Sequence, residues 1–229
     1  MKKMFLSFIV MVSLLMTGCV GLEYINYPTL KYNKDNPIYN GKKYEYIVTY
    51  KVQELNLIPV YDRQIIIAKT TYLLEYFPVY FSNRDIQKEW MITCYGAEGI
   101  HHIKEGVSLP DGNTLTYSEV YFTLQGVQEG GVQIDSTNPR INLFGAKLTD
   151  IIEMDNGYYD LEAEQVGYSF FISQEFPYIA WGNATILMLH KDEVYIFNGG
   201  GTGKYYRIKD EYQEAFKTAI TQLNAMQPQ

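Results

Sequence analysis

The feature that most limits what this chain can fold into is its punctuation. Runs of β-branched and aromatic residues recur along it, each only a few residues long, and Gly, Asn, Asp or Pro interrupts nearly every one. Such runs favour strands, because branched and ring side chains pack well on a pleated surface. The spacing predicts strands at Tyr44–Val52, Gln64–Leu74, Trp90–Tyr95, Thr114–Leu124, Arg140–Phe144, Lys147–Met154, Tyr158–Val166, Tyr168–Ser173, Ile179–Leu189, Val194–Phe197 and Lys204–Ile208. A short helical turn is expected near Ser82 or Asn83, with Asp85 in its first turn. No helix long enough for a parallel crossover lies between the strands, so the sheet should be mostly antiparallel. The one clear helix comes last, over 210–226. There Tyr212, Ala215, Phe216, Ala219, Ile220 and Leu223 form an apolar stripe, with Asp210 and Gln213 spaced as a capping box. The expected fold class is therefore β-rich α+β, a mostly antiparallel sheet with a C-terminal amphipathic helix packed on it. A sandwich is preferred over a closed barrel.

The start of the chain is of another kind. Lys2 and Lys3 precede the apolar run Phe5–Met16, and Thr17-Gly18 lead into Cys19. This is the order of a secretory signal. Its apolar core of about 12 residues is short of the roughly 20 that a spanning helix needs. The ending Leu15-Met16-Thr17-Gly18-Cys19 resembles the lipobox of bacterial lipoproteins. That resemblance implies cleavage before Cys19, acylation of Cys19, and a membrane partner reached through the lipid. Val20 follows the cysteine, and in the enterobacterial pattern that residue implies the outer membrane over the inner. Residues 19–42 then read as a lipidated cysteine and tether, broken by Tyr27-Pro28, Asn36-Pro37 and Asn40-Gly41. The single β-rich domain is expected over 43–229.

Loss of residues 1–18 removes two lysines and no acid, leaving 17 basic against 26 acidic residues. Phosphate binding needs clustered Lys and Arg, so nucleic acid is not an expected partner. With Cys19 acylated only Cys94 remains, and it reads as a small buried hydrophobe.

Candidate chemistry is sparse. Asn198 to Lys204 (Asn-Gly-Gly-Gly-Thr-Gly-Lys) lacks the spacing of a phosphate loop and no helix follows it, so it reads as a connection between strands. Glu98, His101, His102 and Glu105 form a His-carboxylate group within glycine-bearing sequence, which suggests a loop. Asn156-Gly157 is a strong hairpin signal. A two-residue turn there places Glu153, Asp160, Glu162 and Glu164 on one face, open to water or neutralised by Ca²⁺ or a basic partner surface. The weak metal candidates are thus His101, His102, Glu153 and Asp160, and no cofactor is expected. Trp90 and Trp181, with the 22 tyrosines, are candidates to stack on a ligand. No catalytic constellation stands out. The function that fits is a membrane-anchored envelope lipoprotein, a non-catalytic protein-binding or assembly component. The alternatives are a small-ligand or glycan-binding lipoprotein and, behind it, an envelope hydrolase.

Overall fold

The computed structural model describes residues 24–33, 35–47, 55–72, 75–95, 98–127, 130–182, 185–198 and 203–226. Its strands, in chain order, are β1 (Lys31–Asn33), β2 (Asn36–Tyr39), β3 (Lys42–Tyr46), β4 (Leu57–Tyr61), β5 (Gln64–Tyr72), β6 (Glu75–Ser82), β7 (Trp90–Tyr95), β8 (Glu98–Lys104), β9 (Thr116–Thr123), β10 (Val132–Gln133), β11 (Arg140–Lys147), β12 (Glu164–Ser173), β13 (Ile179–Trp181), β14 (Thr185–His190), β15 (Glu193–Asn198) and β16 (Lys204–Arg207). One helical turn, α1 (Leu148–Ile151), and one long helix, α2 (Asp210–Ala225), complete the set.

The strands form two sheets. The smaller has the order β1-β2-β3-β8-β7-β6-β5, with every neighbouring pair antiparallel. It curls until its two ends meet. Just before β1, Leu30 N donates to Lys69 O of β5 at 2.8 Å, and Lys69 N donates to Pro28 O at 2.9 Å. Leu30, Tyr44, Ala68, Val79, Phe81 and Met91 pack together on one side of this curl. The larger sheet runs β10-β4-β13-β12-β14-β15-β16, with β9 on the other edge of β12 and β11 beyond it. Only the β10–β4 pair is parallel.

β13 and β14 follow one another along a single edge of β12. They part at Gly182, where φ is +129° and a Cβ would lie 2.5 Å from Ser169 O. From there β4 continues the sheet beside β13, and β15 continues it beside β14.

The two sheets face each other across one core. It joins Tyr80, Trp90, Ile92 and Cys94 of the smaller sheet to Leu57, Val120, Phe122, Phe171 and Ile196 of the larger. The β-rich architecture expected from the sequence is present. Helix α2 buries Phe216, Ala219, Ile220 and Leu223 in the same core, and Phe216 meets Phe122 edge-on at 5.1 Å. Each such fully buried side chain contributes roughly 1.5–3 kcal/mol. The expected capping box does not form. Lys209 is the N-cap, and Asp210 turns to Arg207 at 2.6 Å. Gln213 is buried instead, taking a hydrogen bond from Val194 N (2.8 Å) and giving bonds to Val194 O (3.2 Å) and Ile208 O (2.6 Å). Buried strand-end groups left unpaired would cost more than a cap exposed to water.

Four local expectations are corrected. Residues 31–33 and 36–39, read as tether, are strands, and Asn40-Gly41 is itself a two-residue hairpin turn with φ of 48° and 74°. The hairpin expected at Asn156-Gly157 is absent. Gly157 has φ −69°, outside the left-handed region that turn needs, and Ile152 pairs with Ile208 of the chain after β16. Lys147–Met154 accordingly holds α1 and not a strand. The true two-residue turn in this region is Lys191-Asp192, with φ of 47° and 66°, between β14 and β15. Finally, Asp85 starts no helix. Its buried carboxylate accepts from Glu89 N (2.7 Å) and Trp90 N (2.8 Å), fixing the entry to β7, and desolvation raises its pKa.

Candidate functional site

His101 and His102 lie in β8, not in a loop, and both are buried. Adjacent residues of a strand point to opposite faces, so the two rings cannot share an ion. His101 turns toward the common core, where its Nδ1 accepts from Trp90 Nε1 at 3.1 Å. His102 turns to the other side and shares a 3.0 Å hydrogen bond with Thr93 Oγ1, while its Nδ1 has no partner. Desolvation lowers both pKa values to about 4, with His101 adding to the effect at His102. Glu105, the expected fellow ligand, pairs with Lys43 at 3.0 Å.

Trp90 and Trp181 are each 1% exposed, so neither offers a face to a ligand. Trp90 is held by His101, and Trp181 packs edge-on against Phe171 at 5.6 Å. Both rings serve the core, where large aromatic surfaces gain most from burial. Cys94 is likewise buried.

Glu153 and Asp160 do not come together on a strand face. Glu153 is taken by Arg207 (3.1 Å), which also holds Glu193 (2.7 Å) and Asp210 (2.6 Å). The hydrogen bond to Glu193 is the chief cause that raises the Arg207 pKa, and the same contact lowers that of Glu193. Of the four acids expected to share a face, Glu153 is thus met by an arginine of this chain. Asp160 is exposed. No group of three His, Cys, Asp or Glu is placed to hold a metal among the described residues. Cys19 and the glycines 199–201 lie outside the described residues.

What the sequence did not single out is one face of the larger sheet. Side chains of directly paired residues on neighbouring strands project to the same side. Tyr168 pairs with Ile186, Ile186 with Phe197, Phe197 with Tyr205, and Tyr205 with Tyr158. These five form a row of four aromatic rings and one isoleucine across β12, β14, β15, β16 and the segment beside β16. At a strand spacing of about 4.8 Å the row is about 19 Å long. None of the five is buried, and Tyr158 is 45% exposed. Phe197 and Tyr205 have ring centroids 4.7 Å apart.

The rest of the same face is covered. Ile58, Val60, Tyr121, Phe170, Ile172 and Ala180 are buried and pack with one another and with Val132 and Ile134 at the β10 edge of the same sheet, with Val127 beside them. At the β14–β15 end, Tyr158 meets Tyr195 edge-on at 6.2 Å and Glu162 O meets His190 Nδ1, so the chain between them passes over buried Tyr195 and Met188. The row lies between these two buried stretches. A sequence signal for it exists in Tyr205-Tyr206 and in Tyr195-Ile196-Phe197, where apolar residues occupy both faces of a strand. Two clefts complete the surface. One of about 350 Å³ lies where Leu223 and Met226 of the α2 end meet Thr123–Gly126 and Asp135. The other, about 340 Å³, is bounded by Tyr46, Ile47, Ile103, Val107 and Leu109. No protein-family profile, curated protein or solved structure matches this chain.

Proposed function

We propose that this chain is a membrane-anchored bacterial envelope lipoprotein, acylated at Cys19, whose β-rich domain is a non-catalytic component that docks a partner protein through the row Tyr168, Ile186, Phe197, Tyr205 and Tyr158. One observation carries the docking reading. One sheet face is buried at both ends and carries between them, among the described residues, an aromatic row that is half-buried to exposed. Uncovered apolar surface of that kind marks an interaction site more often than chance. Tyrosine suits such a site, because its body is apolar and its hydroxyl tolerates water. A sugar ligand would need ring faces open to solvent. Phe197 and Tyr205 instead pack against one another with ring planes tilted by 40°, which favours a protein partner. The anchor rests on Lys2, Lys3, the run Phe5–Met16 and the ending at Cys19.

The test uses the full chain in membranes with a photo-crosslinking residue in place of Tyr159, which is 73% exposed beside the row. A discrete protein adduct that disappears in Phe197→Ser/Tyr205→Ser supports the reading. An adduct pattern unchanged by those substitutions, or none above background, overturns it. Separately, Cys19→Ser should move the folded domain to the soluble fraction, and retention in the membrane would remove the anchor.

A further inference from the structure

We infer that the partner surface received by this row is a cationic, amphipathic polypeptide segment, an inference that rests on the docking reading above. The charge around the row is one-sided. From 148 to 190 the chain carries seven acids and no Lys or Arg, and this stretch supplies β12, β14 and the border of the row. Along that border Asp155, Asp160 and Glu162 are exposed, and none forms an ion pair among the described residues.

The nearby cations do not offset them. Arg207 is held by Glu153, Glu193 and Asp210. Lys204 lies over the Tyr159 ring, 4.7 Å from its centroid, and Lys191 sits apart in the β14–β15 turn. A partner laid on the row brings its own rim close to three bare carboxylates. Neutral or acidic rims would desolvate or repel them, while Lys or Arg would gain a counter-charge each. Apolar residues on one side of the segment would meet the row, and basic residues on the other would meet its border. About 13 residues of helix, or six of strand, span about 19 Å.

The full-length protein, in nanodiscs of phosphatidylcholine, is titrated with fluorescent 14-residue Leu/Lys peptides. One has helical spacing and one alternates, and each has a Leu/Glu counterpart; empty nanodiscs are subtracted. At least one Lys peptide should bind, and both Glu peptides should not. Affinity should fall at least tenfold between 50 and 300 mM salt. It should fall at least tenfold in Asp155→Asn/Asp160→Asn/Glu162→Gln and again in Tyr205→Ser, but by less than twofold in Asp35→Asn/Glu211→Gln/Glu214→Gln, which removes as much charge elsewhere. Equal losses in the two charge variants would reduce the effect to net charge and overturn the inference. So would Glu peptides that bind as well as Lys peptides, or Lys peptides that fail to bind. If the Tyr159 adduct still forms in those cases, the docking reading stands and only the partner's chemistry is wrong.

Discussion

Two neutral histidines sealed in one strand make this fold acid-labile in a defined window. His101 and His102 have folded-state pKa values of about 4 against 6.5 for a free side chain, because burial disfavours the charged ring. Between those values the unfolded chain binds two protons that the folded chain refuses. Stability therefore rises with pH through the window, and is lost as pH falls from about 6.5 toward about 4. At about 1.36 kcal/mol per pH unit, each ring accounts for about 3 kcal/mol, and the pair for roughly twice that. That is comparable to the whole stability of many domains, roughly 5–15 kcal/mol. The lowered carboxylates Asp62, Asp135, Glu175 and Glu193 act below the ordinary carboxylate range, so they do not explain a loss between pH 6.5 and 5. Asp85, whose pKa is raised, works in the opposite sense, since its folded form takes up a proton more readily. The assay is urea unfolding followed by the fluorescence of buried Trp90 and Trp181, at half-unit steps from pH 7.5 to 4.5. Mid-window, the unfolding free energy should fall by about 2–3 kcal/mol per pH unit, and by about half that in His102→Gln. The slope is the readout, so a variant that is weaker at every pH still tests it. A free energy flat from pH 7 to 5, or a slope unchanged in His101→Gln/His102→Gln, would refute the argument.

Three further outcomes follow from contacts already described. Arg207→Met should lower stability by about 1–3 kcal/mol in thermal melts, because Glu153, Glu193 and Asp210 lose their shared cation; added salt should recover part of the loss, and an unchanged melting point would count against the clamp. Gly182→Ala should cost about 3 kcal/mol or more, since its φ of +129° is closed to alanine and its Cβ would strike Ser169 O; a urea midpoint within error of the parent contradicts this. Phe144, 89% exposed at φ +53°, sits in a β11 bulge, and Phe144→Gly should raise stability by about 0.5–1 kcal/mol; a lower midpoint would mean the ring has a contact in the folded state.

How far the sequence could be read depended on which physical signal dominated locally. Trp90–Tyr95 is β7 to the residue, because its β-branched and aromatic run meets no competing local signal. Helix α2 was legible for the same reason, its stripe repeating over four turns. Asn156-Gly157 misled because a strong turn signal is only a preference. Pairing of Ile152 with Ile208 and burial of Ile151 and Ile152 outweighed it. The same dipeptide at Asn40-Gly41 did form the turn, with paired strands on both sides to reward it. Lys191-Asp192 has no glycine, so its positive φ values left no mark in composition. The aromatic row was hidden for a different reason. Its paired members are 8 to 47 residues apart in sequence and are brought together only by sheet register, which no local window contains.

The bonds that join β5 to the chain ahead of β1 also set how the domain sits at a membrane. With Cys19 acylated as proposed, only eight residues lie between it and Pro28, nine Cα–Cα steps in all, and the Pro28 carbonyl is already bonded to Lys69. Fully extended, nine residues reach about 30 Å. On that anchor the seam of the curled sheet lies within about 30 Å of the bilayer, and the larger sheet carries its aromatic row on a body that cannot wander far. Any pull between anchor and partner enters the domain at Pro28–Leu30, across the two hydrogen bonds at Lys69. Under load, the point of attachment and the point of closure are the same place.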